Sequence, residues 1–98
     1  MADTYKAALA YVQSGGDPSM KKPSQSQQLQ FYALYKQVES GRCKAKAPSR
    51  LQVVARAKHD AWAKLGDMTR EQAQRAYVDA LEKSDPQWKS KLKLKSKL

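Results

Sequence analysis

The 98-residue sequence predicts an all-α domain built from four helices, and three observations support that fold class. Apolar residues recur with the roughly 3.6-residue period of a helix in four separate segments. A capping box, in which a Ser or Thr is followed three positions later by Gln, precedes each of the last three segments. Glycine or proline follows each segment and ends the predicted helix. The boxes are Ser24 with Gln27, Ser49 with Gln52, and Thr69 with Gln72.

The first two predicted helices show the apolar spacing most regularly. Asp3 or Thr4 can cap the first helix, which ends at the glycine pair of residues 15–16. The second helix begins after its capping box and ends at Gly41. The apolar faces are Tyr5, Ala8, Leu9 and Val12 in the first helix, and Phe31, Leu34, Tyr35 and Val38 in the second.

The third and fourth predicted helices end at Gly66 and just before Pro86. The connections over residues 15–24 and 41–48 are long enough to let neighbouring helices run parallel as well as antiparallel. The apolar faces are Leu51, Val54, Ala55, Trp62 and Leu65 in the third helix, and Ala73, Ala76, Tyr77, Ala80 and Leu81 in the fourth.

The net charge of +10 is concentrated at the end of the sequence. Five lysines lie in the last ten residues, which contain no acid, so the rest of the chain carries +5. We therefore divide the chain into a domain over residues 1–85 and a lysine-rich tail over residues 86–98, which we expect to be a solvated extension. Attraction of the tail to an anionic membrane is the functional alternative. Its last residues, Ser96-Lys97-Leu98, match a peroxisomal address, although the tail repeats the triplet internally and the match can be accidental.

The sequence offers little that could support catalysis or bind a metal ion. Cys43 and His59 are the only residues of their kinds, they lie in different segments, and no motif places another base beside either. A single cysteine excludes an internal disulfide, and no Cys/His set has the spacing of metal ligands. No apolar run approaches the ~20 residues of a membrane span, and residues 1–11 lack a secretory signal. We therefore expect a cytoplasmic binding protein that is not an enzyme and holds no cofactor.

Two lysines interrupt the apolar faces. Lys58 takes a position on the third helix where the spacing predicts an apolar residue, and Lys36 does so on a second stripe with Leu29 and Tyr32. Such lysines either meet an anion or lie with their stems along apolar surface and their amines in water, and helix geometry leaves both open. Tyrosines beside lysines can also hold a nucleotide, by stacking on the base and pairing with phosphate. Tyr77 can join such a cluster or be a core residue.

Four stretches of the sequence resemble the acyl-CoA-binding protein family. The sequences LQFYALYKQ at residues 29–37 and AKHDAW at residues 57–62 resemble its signatures on the second and third helices. YKAAL at residues 5–9 and AYV at residues 76–78 resemble parts of its first and fourth helices. The resemblance runs in order from about residue 4 to about residue 82.

The resemblance implies an up-down-down-up four-helix bundle with a surface bowl for a long-chain acyl-CoA ester. It also implies a carrier of such esters in lipid metabolism, a monomer that exchanges its ligand with acyl-CoA-producing and acyl-CoA-consuming enzymes. By the same resemblance, Tyr32, Lys36 and Lys58 hold the ribose 3′-phosphate, and the adenine packs near Tyr32 and Tyr35. The remaining implied contacts are Tyr77 at the border of the CoA head group, and Tyr5, Leu9 and Leu29 along the acyl channel.

The sequence departs from the family pattern at three positions. His59 replaces a tryptophan, so that a contact beside the ligand is smaller and can titrate. Val54 replaces a basic residue one turn before Lys58, and either Arg50 or Arg56 can supply the lost phosphate contact. Gln13 replaces a frequent lysine. These departures affect the expected affinity and leave the main phosphate cluster intact.

The alternative function is that of a basic helical domain that binds nucleic acid or an anionic membrane. A nucleic-acid-binding domain gathers its positive charge on one face, whereas Lys and Arg here are distributed over all four predicted segments. Binding to a polyanion also falls steeply with salt, which separates the two hypotheses experimentally.

Overall fold

The computed structural model describes residues 2–17 and 23–91, and this part of the chain forms four helices without strands. One further helical turn follows at residues 88–91. The all-α prediction is therefore confirmed. The helices are α1 (Ala2–Gln13), α2 (Gln25–Ser40), α3 (Val53–Ala63) and α4 (Arg70–Ser84).

Two of the three predicted capping boxes are formed. Ser24 accepts a hydrogen bond from the backbone N–H of Gln27, whose side chain accepts one from the backbone N–H of Ser24, and Thr69 forms the same pair of bonds with Gln72. The Ser49 box is wrong, because residues 49–52 form a turn and α3 begins only at Val53.

The side chain of Ser49 accepts from the N–H of Leu51 at 3.2 Å, one position short of what the box requires. At α1 the helix begins at Ala2, so Asp3 does not cap it. The Asp3 carboxylate lies instead in the first turn, where it complements the positive end of the helix dipole.

Helices α2 and α3 run parallel to each other. Near their beginnings Leu29 and Val53 line the same cleft, and near their ends the indole N–H of Trp62 donates to the carbonyl of Gly41 at 2.9 Å. The amide of Gln37 also donates to two carbonyls of the connection that follows α3, those of residues 66 and 68. The beginnings of α2 and α3 lie together and so do their ends. The connection over residues 41–52 must therefore run back along the bundle, from the end of α2 to the beginning of α3.

The other helix pairs complete the topology. The beginning of α2 lies beside the end of α4, where Gln27 and Lys83 line one cavity, so these helices are antiparallel. Helices α1 and α4 are parallel, since Tyr5 packs on Tyr77 early in both helices and Tyr11 meets Asp85 at their ends. The order is therefore up-down-down-up, as expected.

The core lies between α1, α2 and α4, and α3 covers only one side of α2. Trp62 is the only buried hydrophobic residue of α3. The predicted apolar face of that helix is wrong at its beginning, because Leu51 and Val54 are 92% and 61% exposed. The principal core residues are Tyr5, Ala8, Tyr11, Phe31, Leu34, Val38, Ala73, Tyr77, Val78, Leu81 and Trp88.

The first part of the C-terminal tail docks on the bundle. Trp88 is 1% exposed and packs against the ring of Tyr11, with 6.2 Å between ring centroids. The ammonium of Lys91 lies 3.0 Å from carboxylate oxygens of both Asp17 and Asp85. The expectation of a solvated extension is therefore wrong for residues 86–91. The later part of the tail, with Ser96-Lys97-Leu98, lies outside the described residues. The peroxisomal targeting signal at these three residues stays a prediction.

Candidate functional site

Two lysines lie over aromatic rings along the line where α2 and α3 meet, which we call the seam. The ammonium of Lys58 on α3 is 5.3 Å from the centroid of the Tyr32 ring on α2. One turn further along, the ammonium of Lys36 on α2 is 5.0 Å from the centroid of the Trp62 ring on α3. Because the helices are parallel, both contacts join residues 26 positions apart.

The seam lysines differ in one respect from the arrangement expected from sequence. Tyr32 and Lys36 lie one turn apart on α2, but the ring under each ammonium comes from the facing helix. Neither lysine forms an ion pair with a carboxylate in the described part of the chain. A cation over a ring contributes about 0.5–1 kcal/mol at an exposed site, and its outer hydrogens stay available to an anion.

An apolar cleft continues the seam toward the beginnings of α2 and α3. Its volume is about 290 Å³, and Lys58 stands at its boundary with the lysine–aromatic pairs. The cleft is open because the first turn of α3 does not enter the core. Its lining consists of Gln25, Gln28, Leu29, Val53, Val54, Ala57 and Lys58.

The seam therefore changes character along its length, from aliphatic side chains at one end to ammonium groups over rings at the other. An apolar chain gains roughly 0.8 kcal/mol per CH₂ removed from water, and a phosphate gains charge-assisted hydrogen bonds from lysine. Such a surface fits an amphiphile that has an anionic head group and an aliphatic tail.

A larger cavity of about 400 Å³ lies between α2 and α4. Asp79 and Lys83 place opposite charges in its wall, and the amides of Gln27 and Gln30 add further polar surface. It lacks the grouped cations of the seam, so the smaller cleft is the better candidate site.

Tyr5 and Tyr77, which the family resemblance places at the ligand, lie in the core. They are 3% and 1% exposed, and their rings form an edge-to-face pair with 5.4 Å between centroids. Burial, together with nearby Glu39 and Tyr35, raises the pKa of Tyr5 to about 12, and burial raises the pKa of Tyr77 still further. The structure does not bring these two residues to the seam, because α1 and α4 cover each other's apolar faces.

Leu9 and Tyr35 occupy intermediate positions. Both are partly buried and pack against the core cluster. Of the eight residues predicted to bind ligand, the structure thus gathers four along the seam: Leu29, Tyr32, Lys36 and Lys58.

His59 and its neighbours tie α3 to the preceding connection. The His59 Nε2 atom lies 2.9 Å from the carbonyl oxygen of Ala45, and Nδ1 lies 3.4 Å from Oδ1 of Asp60. Since both ring nitrogens face oxygen acceptors, only the protonated ring can donate to both at once. A hydrogen bond from His59 and the charge of Arg56, opposed by burial, hold the pKa of Asp60 below its usual value.

Arg56 binds groups away from the seam and does not join Lys36 and Lys58. Its guanidinium bonds Asp60 at 3.1 Å and the carbonyl of Pro48 at 3.2 Å. Arg50 is exposed, without an ion pair among residues 2–17 and 23–91, and remains the candidate replacement for the basic residue lost at Val54.

Sequence reasoning missed the roles of Trp62 and the two valines. Trp62 was assigned only to a core stripe, yet its ring lies under the Lys36 ammonium. Val53 and Val54 line the cleft, although the sequence placed Val54 on the buried face of the helix and assigned Val53 no role. The family resemblance implied that α2 and α3 are parallel but not their register, and the 26-residue offset that pairs Lys36 with Trp62 depends on that register.

No group of three or more His, Cys, Asp or Glu residues within the described residues is arranged to hold a metal ion. None of their helices combines the length and apolar character needed to cross a membrane.

The fold and the seam define a class of protein: a four-helix bundle of up-down-down-up order with a groove on α2 and α3 whose shape and charge fit an amphiphile. The sequence profile described as acyl CoA binding protein matches residues 2–81. The chain therefore belongs to the acyl-CoA-binding protein family, a family of binding proteins, and the resemblance noted from sequence is confirmed.

Individual relatives agree with this assignment. The chain is 40% identical over 90 residues to acyl-CoA-binding domain-containing protein 5 of Bos taurus, a match over 85% of this chain and 17% of that protein. It is 41% identical over 87 residues to acyl-CoA-binding domain-containing protein 1 of Arabidopsis thaliana, covering 88% of this chain and 26% of that protein. The chain thus spans about a quarter or less of the length of these relatives.

A solved structure matches over nearly its whole length. The solution structure of acyl CoA binding protein from Babesia bovis shares 36% identity with a TM-score of 0.76, over 90% of this chain and 97% of that one. The helical bundle is therefore the fold of this family.

Proposed function

We propose that the chain binds long-chain acyl-CoA esters along the α2–α3 seam and acts as a non-catalytic carrier of them in lipid metabolism. One observation supports this most strongly: the seam joins an aliphatic cleft to two lysines over aromatic rings in a single line. An acyl-CoA ester has the same order of groups, an aliphatic chain followed by a phosphate-bearing nucleotide. Membership of the family supports acyl-CoA as the ligand.

In this proposal Lys36 and Lys58 bind the ribose 3′-phosphate. Their ammonium groups lie over rings that come from the opposite helix, so each is held near one edge of the seam without a competing carboxylate. The adenine packs beside Tyr32, whose ring already contacts a cation, with Tyr35 behind it. The acyl chain occupies the cleft that Leu29 lines.

We propose no chemical reaction at the site. Cys43 lies on the connection after α2, while His59 is directed at Ala45 and Asp60, so neither forms a nucleophile–base pair with the other in this structure. Acyl-CoA-producing and acyl-CoA-consuming enzymes are the proposed partners, and a monomer in the cytoplasm is the proposed state.

Titration calorimetry with palmitoyl-CoA, octanoyl-CoA, CoA and palmitate tests the carrier function. Affinity should rise with chain length, by roughly 0.8 kcal/mol or about fourfold for each fully buried CH₂. From eight to sixteen carbons the gain is at most about 6 kcal/mol, and less where the end of the chain remains in water.

The two halves of the ligand serve as matched controls for each other. CoA lacks the chain that fills the cleft, and palmitate lacks the phosphate that meets Lys36 and Lys58, so each alone should bind far more weakly than palmitoyl-CoA. Equal binding of CoA and palmitoyl-CoA would mean that the site recognises only a nucleotide, and the carrier function would be rejected.

A further inference from the structure

Trp62 is buried, yet its ring faces one of the two seam lysines. Only 8% of the residue is exposed, and the ammonium of Lys36 lies 5.0 Å from the centroid of its ring. The other ring of the seam differs in this respect, because Tyr32 is only partly buried and is proposed to contact the adenine itself. A ring as buried as that of Trp62 offers a ligand little surface. Its influence on binding must therefore pass through Lys36.

Helix α2 holds Trp62 from two directions. The indole N–H donates to the carbonyl of Gly41, which ends α2, and the face of the ring lies under Lys36 of the same helix. Gly41 has a φ of 73°, a backbone conformation that favours glycine, and its own N–H donates to the carbonyl of Gln37. The end of α2 therefore fixes the direction of the carbonyl that the indole meets. With that bond made, the ring has little freedom to rotate, and its face stays toward Lys36.

The Lys36 ammonium depends on this ring for its position. It forms no ion pair and no hydrogen bond with another group of residues 2–17 and 23–91. Lysine has a long and flexible side chain, so a free ammonium would sample many positions. The face of an aromatic ring attracts a cation, and Trp attracts it more strongly than Tyr or Phe. The ring of Trp62 therefore restrains the ammonium at the end of the seam away from the cleft.

We propose that Trp62 is a positioning residue for ligand recognition, which holds the Lys36 ammonium where the phosphate of the ligand arrives. This inference rests on the proposed function. Ordering a flexible side chain opposes binding, and a lysine that is already restrained loses less freedom when it meets a phosphate. Its outer N–H groups remain able to donate to phosphate oxygens. Trp62 thus favours acyl-CoA esters that carry the ribose 3′-phosphate over their 3′-dephospho counterparts.

Trp62→Leu and Trp62→Phe separate the aromatic face from the buried volume. Leucine fills part of the space without an aromatic face, whereas phenylalanine keeps the face and loses the indole N–H. In calorimetry on variants that keep the helical circular dichroism of wild type, Trp62→Leu should weaken palmitoyl-CoA binding by about two- to fivefold and change binding of the 3′-dephospho ester little. Trp62→Phe should keep most of the preference for the 3′-phosphate. Equal losses for the two esters in Trp62→Leu would show that the residue only supports the fold, and would overturn the inference.

A double-mutant cycle shows whether Trp62 acts through Lys36. If it does, Trp62→Leu should cost no further palmitoyl-CoA affinity once Lys36→Ala is present. Lys58→Ala is the matched control, because the Lys58 ammonium lies over Tyr32 and not over Trp62. In that background Trp62→Leu should again weaken binding by about two- to fivefold. Losses of the same size in both backgrounds would overturn the inference.

Proton nuclear magnetic resonance of the ligand-free wild type tests the position of Lys36 without any substitution. Protons above the face of an aromatic ring resonate upfield, so the ε-methylene protons of Lys36 should lie upfield of those of Lys6, which is exposed on α1. An unshifted Lys36 signal in a protein that binds palmitoyl-CoA would overturn the inference alone. Failure of the wild type to bind palmitoyl-CoA would instead reject the proposed function, and the inference with it.

Discussion

The α1–α4 side of the bundle and the α2–α3 seam use aromatic and charged residues in opposite ways. Between α1 and α4 the rings of Tyr5, Tyr77 and Trp88 are buried, and the charges of Asp85 and Lys91 meet each other. Along the seam, the lysines lie over rings and have no carboxylate partner among the described residues. One side pairs its charged groups internally, and the other leaves them available to a ligand.

Stability and ligand binding therefore depend on different parts of the molecule. Substitutions between α1 and α4 should change the free energy of unfolding and leave the affinity of folded protein almost unchanged. Substitutions along the seam should do the reverse.

The largest effect should come from Trp88. Its side chain is almost fully buried, and removing a buried Trp usually costs about 3–5 kcal/mol of stability. We therefore expect Trp88→Ala to lower the free energy of unfolding by about that amount in denaturant titrations followed by circular dichroism. Ser90→Ala, an exposed change in the same turn, is the control. A Trp88→Ala protein as stable as the control would show that the segment after α4 does not dock.

Lys36→Ala and Lys58→Ala should act on affinity. Each is expected to weaken palmitoyl-CoA binding by about 1.5–3 kcal/mol, the usual value of a hydrogen bond to a charged group. The loss should shrink for the 3′-dephospho ester, and thermal stability should change little. Arg75→Ala, which removes an exposed cation of α4, should leave affinity unchanged. Equal losses for the two esters in calorimetry would reject the phosphate assignment.

Two tyrosine hydroxyls of α1 provide a matched pair. The hydroxyl of Tyr11 donates to Asp85 at 2.6 Å, whereas that of Tyr5 is buried and has no hydrogen-bond partner among the described residues. Tyr11→Phe should cost about 1–3 kcal/mol of stability, because it removes a donor from a buried carboxylate. Tyr5→Phe should be neutral or stabilising. Similar losses in both variants, measured by denaturant titration, would mean that Tyr5 also has a partner.

The smallest effect should appear in the pH dependence of stability. Burial raises the pKa of Asp85, but hydrogen bonds from Tyr11 and Lys91 outweigh it and leave the pKa below its usual value. The unfolded chain therefore binds a proton more readily than the folded chain. Asp85 contributes its full share to the free energy of unfolding at pH values above its pKa in the unfolded chain, which is about 3.9. That share is lost as the pH falls through the lower pKa that Asp85 has in the folded chain. Between about pH 5 and pH 3, wild type should lose more stability than Asp85→Asn. Parallel pH profiles for the two proteins would contradict this.

Much of the fold could be predicted because its signals are local. The boxes at Ser24 and Thr69 satisfy helix-terminal N–H groups within their own turn, so sequence spacing suffices to find them. The box at Ser49 matches the same pattern, but no core packing supports the turn that follows it, and Leu51 stays in solvent. A capping pattern thus predicts where a helix can begin, and packing decides whether it does.

The seam could be predicted only in part, because it depends on contacts between helices. Lys36 and Lys58 were visible as interruptions of apolar faces, which local spacing detects. Their ring partners depend on the register between α2 and α3, which neither the spacing on one helix nor the implied helix order contains. The docking of Trp88 was missed for the same reason, since its partner Tyr11 lies far away in sequence.

Nuclear magnetic resonance of the palmitoyl-CoA complex tests the division between seam and core most directly. Intermolecular nuclear Overhauser effects should join the acyl methylenes to the methyl groups of Leu29, Val53 and Val54, and the largest shift changes should include Lys58. The indole N–H of Trp88 should keep its chemical shift. Acyl contacts at Trp88 or Tyr11, with the cleft methyl groups unchanged, would contradict the assignment of binding to the seam.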